Sequence, residues 1–263
     1  MLRVGFYQFR PSFGQTKKNL VKVLSALHDA EADLIVLPEL CFTGYYFRDR
    51  EETEKLAEDP ADSSIVESLA ALCKEKGFHI VTGFAEKKSD KLFNSALLIG
   101  PKGLEHTYRK LHLFNEEKNW FDPGDIPLQV CPVRGVKIGM IVCFDWIFPE
   151  VMRTLALQGA QVICHPSNLV LNYCQDAMRT RCIENMVFAV TANRFGADKR
   201  PHGELKFTGQ SQITAPKGLI IQKAPAQREL LFITEIDSGE AVQKHFTPLN
   251  DLLKDRRPEF YTK

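Results

Sequence analysis

The chain has 263 residues, of which 44% are hydrophobic and 25% charged, enough apolar side chain to bury a full core and far from the composition of a disordered chain. Lys and Arg number 34 against 33 Asp and Glu, so a net charge of +1 gives no support to nucleic-acid binding through a broad basic face. No apolar run reaches the roughly 18 residues of a membrane span.

Residues 2–9 read as a first strand rather than a signal peptide, being short and interrupted by Arg3. Thr16 opens a helical pattern with Leu20, Val23, Leu24, Leu27 and Ala30 on one face. Residues 33–37 form a short apolar run stopped by Pro38, which fits a strand buried on both faces. Ser64 and Glu67 have capping-box spacing, and Ile65, Leu69, Leu72 and Cys73 continue a helix to Gly77. Strands are expected over 78–84, 92–99 and 104–108, followed by a less regular stretch from Lys110 to Gly124. Residues 136–143 are a strand, Pro149 begins a helix that ends before Gly159, 161–165 is a strand and about 174–185 a helix. Strands over 187–192, 210–214, 219–222 and 230–236 complete the pattern, and a charged tail runs from Leu249 to Lys263.

Strands and helices interleave throughout, with no linker, repeat or low-complexity segment, so one α/β domain over 1–263 is expected. Two strand–helix–strand halves are visible, about 1–100 and 130–236. Periodicity alone leaves a doubly wound sheet and two stacked sheets both open.

The 7 cysteines are odd in number and irregular in spacing, which points to a reducing cytoplasm rather than a disulfide framework. No CxxC, HxxxH or HExxH motif suggests a structural zinc, and no cofactor is implied. Cys143 closes an apolar strand just before a helix. A turn there would expose the thiol, aim main-chain N–H groups at one point in the manner of a nucleophile elbow, and favour the thiolate. The bland alternative is a buried structural cysteine.

A thiol nucleophile needs a base and an oxyanion donor. His112 and His165 are the histidines near strand ends, and a Cys–His pair is conceivable, as is a purely structural role. Glu39 and Lys110 also follow strands, at the sheet edge where sites collect. Glu39 would be partly desolvated there, a condition for general-base work, or would cap a turn. Lys110 alone reads as a solvated lysine, a lone lysine being the least specific of these signals.

Taken together, Pro38-Glu39-Leu40 with Thr43-Gly44-Tyr45, Tyr108-Arg109-Lys110-Leu111-His112-Leu113, and Cys143-Phe144-Asp145 with Phe148-Pro149-Glu150 resemble the three signature blocks of the nitrilase superfamily, the carbon–nitrogen hydrolases. The segments 120–124, 165–168 and 255–259 add to the likeness, which spans essentially the whole chain and is closest to short archaeal and bacterial members. The resemblance implies a four-layer α-β-β-α sandwich. It also implies a homodimer or higher homo-oligomer, with the 248–263 tail at the interface.

Carried over by position, the resemblance implies Cys143 as nucleophile, Glu39 as general base and Lys110 as oxyanion-stabilising cation. It adds a second glutamate at Glu117, next to Glu116, and the Phe144 N–H as oxyanion donor. Phe144 replaces a frequent tyrosine, and Cys41 follows the first block; neither removes a reacting group. A carboxylic acid that returns a proton to a poor leaving nitrogen needs an enclosed, partly apolar pocket. Tyr45, Trp120, Trp146 and Phe144 are candidate walls, or ordinary core. Ser167 and Asn168 would hydrogen-bond substrate or cap the next turn, and Arg179 and Arg181 are expected on an exposed helix face or in salt bridges. The implied activity is hydrolysis of a small aliphatic amide, with a true nitrilase acting on small nitriles or dinitriles as the runner-up. A non-catalytic binding module and a papain-like Cys–His protease are the readings from other classes.

Overall fold

A computed structural model describes residues 1–261. Thr262 and Lys263, the end of the tail assigned to a dimer interface, lie outside the described residues. The first half contains β1 (Leu2–Gln8), α1 (Thr16–Leu27), β2 (Leu34–Val36), α2 (Arg50–Leu56), α3 (Ser64–Lys76), β3 (His79–Lys88), β4 (Lys91–Gly100) and β5 (Gly103–Arg109). A short α4 (Glu117–Trp120) leads to β6 (Val130–Val133), β7 (Val136–Met140), α5 (Pro149–Leu157), β8 (Val162–Ser167) and α6 (Cys174–Asn185). The chain continues through β9 (Phe188–Asn193), β10 (Phe195–Arg200), β11 (Gly203–Thr208), β12 (Gln212–Thr214), β13 (Ile220–Lys223) and β14 (Leu230–Ile236).

Two six-stranded sheets result, in the orders β14-β1-β2-β3-β4-β5 and β13-β12-β9-β8-β7-β6. The central strands β1, β2 and β3 run parallel, as do β7, β8 and β9, and antiparallel strands flank each trio. The period-two alternation of strand side chains decides the layering. Leu34 and Val36 of β2 enter a core shared with the second sheet, together with Ile138, Val162 and Cys164. Ile35 and Leu37 point the other way, onto Val23 and Leu27 of α1 and Leu69 and Leu72 of α3. On the far side, α5 and α6 contribute Met152, Leu155, Met178 and Cys182. The order helix–sheet–sheet–helix is the expected four-layer sandwich. Two stacked sheets, not one doubly wound sheet, close the question that periodicity left open.

Several local expectations need correction. The cap of α3 is Ser63, whose side chain accepts from Val66 N–H, not Ser64 with Glu67. Helix α2, edge strand β6 and the β10–β11 hairpin lie in stretches with no predicted element. Among the described residues no helix is long and apolar enough to cross a membrane. In the tail, Leu249, Phe260 and Tyr261 are exposed on the single chain.

Candidate active site

The ends of β2, β5, β7 and β8 meet at one edge of the sandwich. Glu39 follows β2, Lys110 follows β5, Cys143 follows β7 and Asn168 follows β8. Glu39, Lys110 and Glu117 are fully buried, at 0% side-chain exposure, and form one cluster. Lys110 Nζ lies 2.8 Å from Glu39 Oε1 and 2.7 Å from Glu117 Oε1. Strand β3 passes against the base of this cluster at Gly83, where a Cβ would stand 2.3 Å from Glu39 Cα, so only glycine permits the approach. Gly124 does the same behind the lysine, its missing Cβ facing Arg109 O at 2.2 Å.

The two carboxylates are bound differently. Glu117 is saturated: Oε1 accepts from Lys110 and, at 2.6 Å, from the Tyr45 hydroxyl, while Oε2 accepts from Phe114 N–H at 3.2 Å. Glu39 Oε1 accepts from Lys110 and from Asn94 Nδ2 at 2.7 Å, whereas its Oε2 is buried without a hydrogen-bond partner. One carboxylate is therefore anchored at both oxygens and the other keeps an oxygen free to receive a proton. Glu116, beside Glu117, faces solvent.

Cys143 has φ +42°, the left-handed region that a non-glycine residue occupies only under constraint, at a cost of about 1–3 kcal/mol. The sharp turn of an elbow is thus present, although a 3-10 turn over Cys143–Ile147 separates the cysteine from α5. His165 holds this turn. Its Nε2–H donates to Cys143 O at 2.9 Å and its Nδ1 meets Thr191 Oγ1 at 3.0 Å, which leaves neither ring nitrogen for the thiol. Burial pushes the His165 ring down to about 4, so it is neutral near pH 7. His112 Nδ1 pairs with Asp145 at 2.8 Å and its ring stacks on Phe148. The Cys–His arrangement required by a papain-like protease is absent among the described residues.

Burial raises the Cys143 thiol well above its ordinary value, and the charge of Glu39 raises it further. Lys110 opposes this, as does the Asn168 N–H, without reversing it. The expected bias toward a thiolate is overturned: apolar enclosure outweighs the donors at the strand end. Burial alone would lower Lys110, but the charges of Glu117 and Glu39 outweigh it and hold the ammonium above its ordinary range. Glu117 is raised by burial, against the pull of Lys110.

A small, narrow pocket opens beside the thiol, walled by Phe114, Phe144, Trp146, Asn168, Leu169 and Val170. Trp146 and Phe144 line this pocket. Trp120 stands behind Tyr45, with ring centroids 6.0 Å apart, and does not border this pocket. Tyr45 reaches the cluster through its hydroxyl. Asn168 Nδ2 donates to Glu39 O at 2.8 Å and its Oδ1 has no partner, while Ser167 Oγ turns back to His165 O. Arg179 donates to Gly218 O, and Arg181 pairs with Glu184 and donates to Trp146 O, away from the pocket. Asn94 and Asp145 carry hydrogen bonds central to the site, and neither was singled out from the sequence for a role. The signal available for Asn94 was an amide, with Ser95 beside it, in the apolar stretch of β4.

The sequence matches the family described as carbon-nitrogen hydrolase over residues 3–245. It is 42% identical to a nitrilase of Pyrococcus abyssi (strain GE5 / Orsay), with 99% of each chain covered. It is 31% identical to an (R)-stereoselective amidase of Pseudomonas sp, covering 97% of this chain and 92% of that one. The crystal structure of a carbon-nitrogen hydrolase from Helicobacter pylori G27 superposes with a TM-score of 0.89 at 24% identity, over 99% of this chain and 97% of that chain.

Proposed function

The chain belongs to the carbon–nitrogen hydrolase family, and from that premise we propose that it hydrolyses the C–N bond of a small, uncharged aliphatic amide through a thioester on Cys143. The observation that carries this reading is the unequal bonding of the two carboxylates around Lys110: Glu39 Oε2 alone is unpartnered.

The raised thiol needs a base at the moment of attack, and Glu39 Oε2 takes its proton. The sulfur attacks the amide carbon and the carbonyl oxygen becomes an oxyanion. Lys110 spends two N–H bonds on the carboxylates and keeps a third for that oxygen, with the Phe144 N–H as second donor. One such donor is worth about 3–4 kcal/mol of barrier. The C–N bond breaks as Glu39 returns the proton to nitrogen, and ammonia leaves. Water then attacks the thioester, giving a proton to Glu39, and the C–S bond breaks to release the acid and restore the thiol. Glu117, bonded at both oxygens, orients Lys110 and Tyr45. Apart from Cys143 and Asn168 the pocket walls are apolar, which suits an uncharged acyl chain.

A second reading, nitrile hydrolysis, is favoured by the 42% identity to the Pyrococcus enzyme. The same attack on a nitrile gives a thioimidate and, after water addition and loss of ammonia, the same thioester. Ammonia release from acetamide, propionamide and butyramide, set against propionitrile and succinonitrile, separates the two. Turnover by Cys143→Ala would overturn both.

A further inference from the structure

Asp145 receives four donors on two carboxylate oxygens. Oδ2 accepts from the Tyr108 hydroxyl at 2.7 Å and from Val142 N–H at 2.9 Å. Oδ1 accepts from His112 N–H at 3.2 Å and from His112 Nδ1 at 2.8 Å. The side chain is fully buried. Its donors come from two separate parts of the site: Tyr108 and His112 flank Lys110 in sequence, and Val142 adjoins Cys143. The reaction itself makes no use of this carboxylate.

We infer that Asp145 is a positioning residue, a clamp that fixes the Lys110 segment against the Cys143 turn and so sets where the ammonium stands relative to the sulfur. The inference rests on reading Cys143 as nucleophile and Lys110 as oxyanion donor. Each oxygen of the clamp holds one main-chain N–H, from Val142 on one side and His112 on the other. Main-chain donors cannot rotate away. An asparagine in either orientation therefore sets its NH₂ against a main-chain N–H, so the site demands an acceptor at both positions. The ring of His112 is also braced from behind by Phe148, with centroids 3.6 Å apart and planes 15° from parallel. This brace holds the lysine segment at its C-terminal side, while Tyr108 holds it at the other.

The test uses the full chain with Asp145→Asn, Tyr108→Phe, His112→Phe and Cys143→Ala, on whichever of the five amides and nitriles above the wild type turns over fastest. Rates are divided by the fraction of chain that is folded, read from circular dichroism. Asp145→Asn is expected to lower kcat per folded chain by about 100-fold while KM stays within about threefold, because a displaced donor weakens the transition state more than the ground state. Tyr108→Phe and His112→Phe each remove one side-chain donor and are expected to lose about tenfold or less. A merely structural role would reduce the folded fraction and leave kcat per folded chain at the wild-type value; that result overturns the clamp. Should Asp145→Asn yield no folded protein, the Tyr108→Phe/His112→Phe double variant decides: about a tenfold loss in kcat at constant KM supports the clamp, and wild-type kcat refutes it. Turnover by Cys143→Ala strikes the nucleophile assignment instead, which keeps the two failures distinct.

Discussion

Lys110 Nζ and Glu39 Oε1 form a 2.8 Å ion pair from which solvent is wholly excluded. Together with Glu117 this places one cation between two carboxylates in the interior. Such a cluster is held by mutual compensation, because each charge was desolvated at a cost that only its partners offset. Lys110→Met should therefore abolish turnover, by about 10³-fold or more, and also lower the unfolding free energy by about 3–5 kcal/mol in urea titration. Adding Glu39→Gln and Glu117→Gln removes the uncompensated carboxylates. The triple variant should regain most of the stability and none of the activity. Recovery of activity would mean that Lys110 serves only to neutralise its neighbours.

Asn94 should behave as part of the base rather than as filler in β4. Its Nδ2 donates to Glu39 Oε1 at 2.7 Å, and its main-chain carbonyl accepts from the Lys110 main-chain N–H at 2.8 Å. The amide thus leaves Oε2 as the only oxygen of Glu39 open to the thiol proton. Asn94→Ala should lower kcat by about 10–100-fold with little change in KM, since it misplaces a proton acceptor and touches no substrate. Steady-state kinetics on the preferred substrate checks this; a rise in KM at constant kcat would place Asn94 in binding instead.

The charges around Cys143 predict opposite shifts from two variants that are both inactive. Burial and Glu39 raise the thiol, and Lys110 lowers it. A raised thiol is protonated at neutral pH and alkylates only as the medium becomes alkaline. Glu39→Gln deletes a like charge, so the midpoint of iodoacetamide labelling should move to lower pH. Lys110→Met deletes the opposing cation, so the midpoint should move higher. The readout is the labelling rate of Cys143 as a function of pH for wild type and both variants. Movement in the same direction for the two would contradict the electrostatic account.

What could be read from the sequence follows the strength of the underlying periodicity. The run Leu34–Leu37 is apolar on both faces because it is sandwiched between α1, α3 and the second sheet, and that composition announced it. Glu39, Lys110 and Cys143 were visible as chemistry-bearing residues at strand ends. The β10–β11 hairpin was not, because charged residues in β10 replace apolar alternation and tie it to its surroundings by ion pairs. Arg194 is buried against Asp198 at 2.8 Å, and Arg200 reaches Glu52. Strand β6 was hidden by Pro132, tolerated there because β6 is the edge of its sheet. Asn94 and Asp145 act through bonds to residues 55 and 33 positions away, a distance over which no local pattern reports.

His165 gives the fold an acid-sensitive point beneath the Cys143 turn. Its ring is neutral in the folded chain because burial brings it from 6.5 to about 4, while the unfolded chain keeps the ordinary value. Above pH 6.5 both states are unprotonated and no penalty exists. As pH falls toward about 4 the unfolded chain binds a proton that the folded chain refuses, so stability is lost across that window. The difference corresponds to roughly 3 kcal/mol once pH lies below the folded value. His165→Gln retains an N–H for Cys143 O and an acceptor for Thr191 but cannot titrate. At pH 7.5 it should be modestly less stable than wild type, by about 1 kcal/mol for imperfect hydrogen-bond geometry. Between pH 6.5 and 4.5 the wild-type melting temperature should fall more steeply than that of His165→Gln, so the two curves converge. Parallel curves would show that His165 takes up protons equally in the folded and unfolded states, and would refute the depression of its ring by burial.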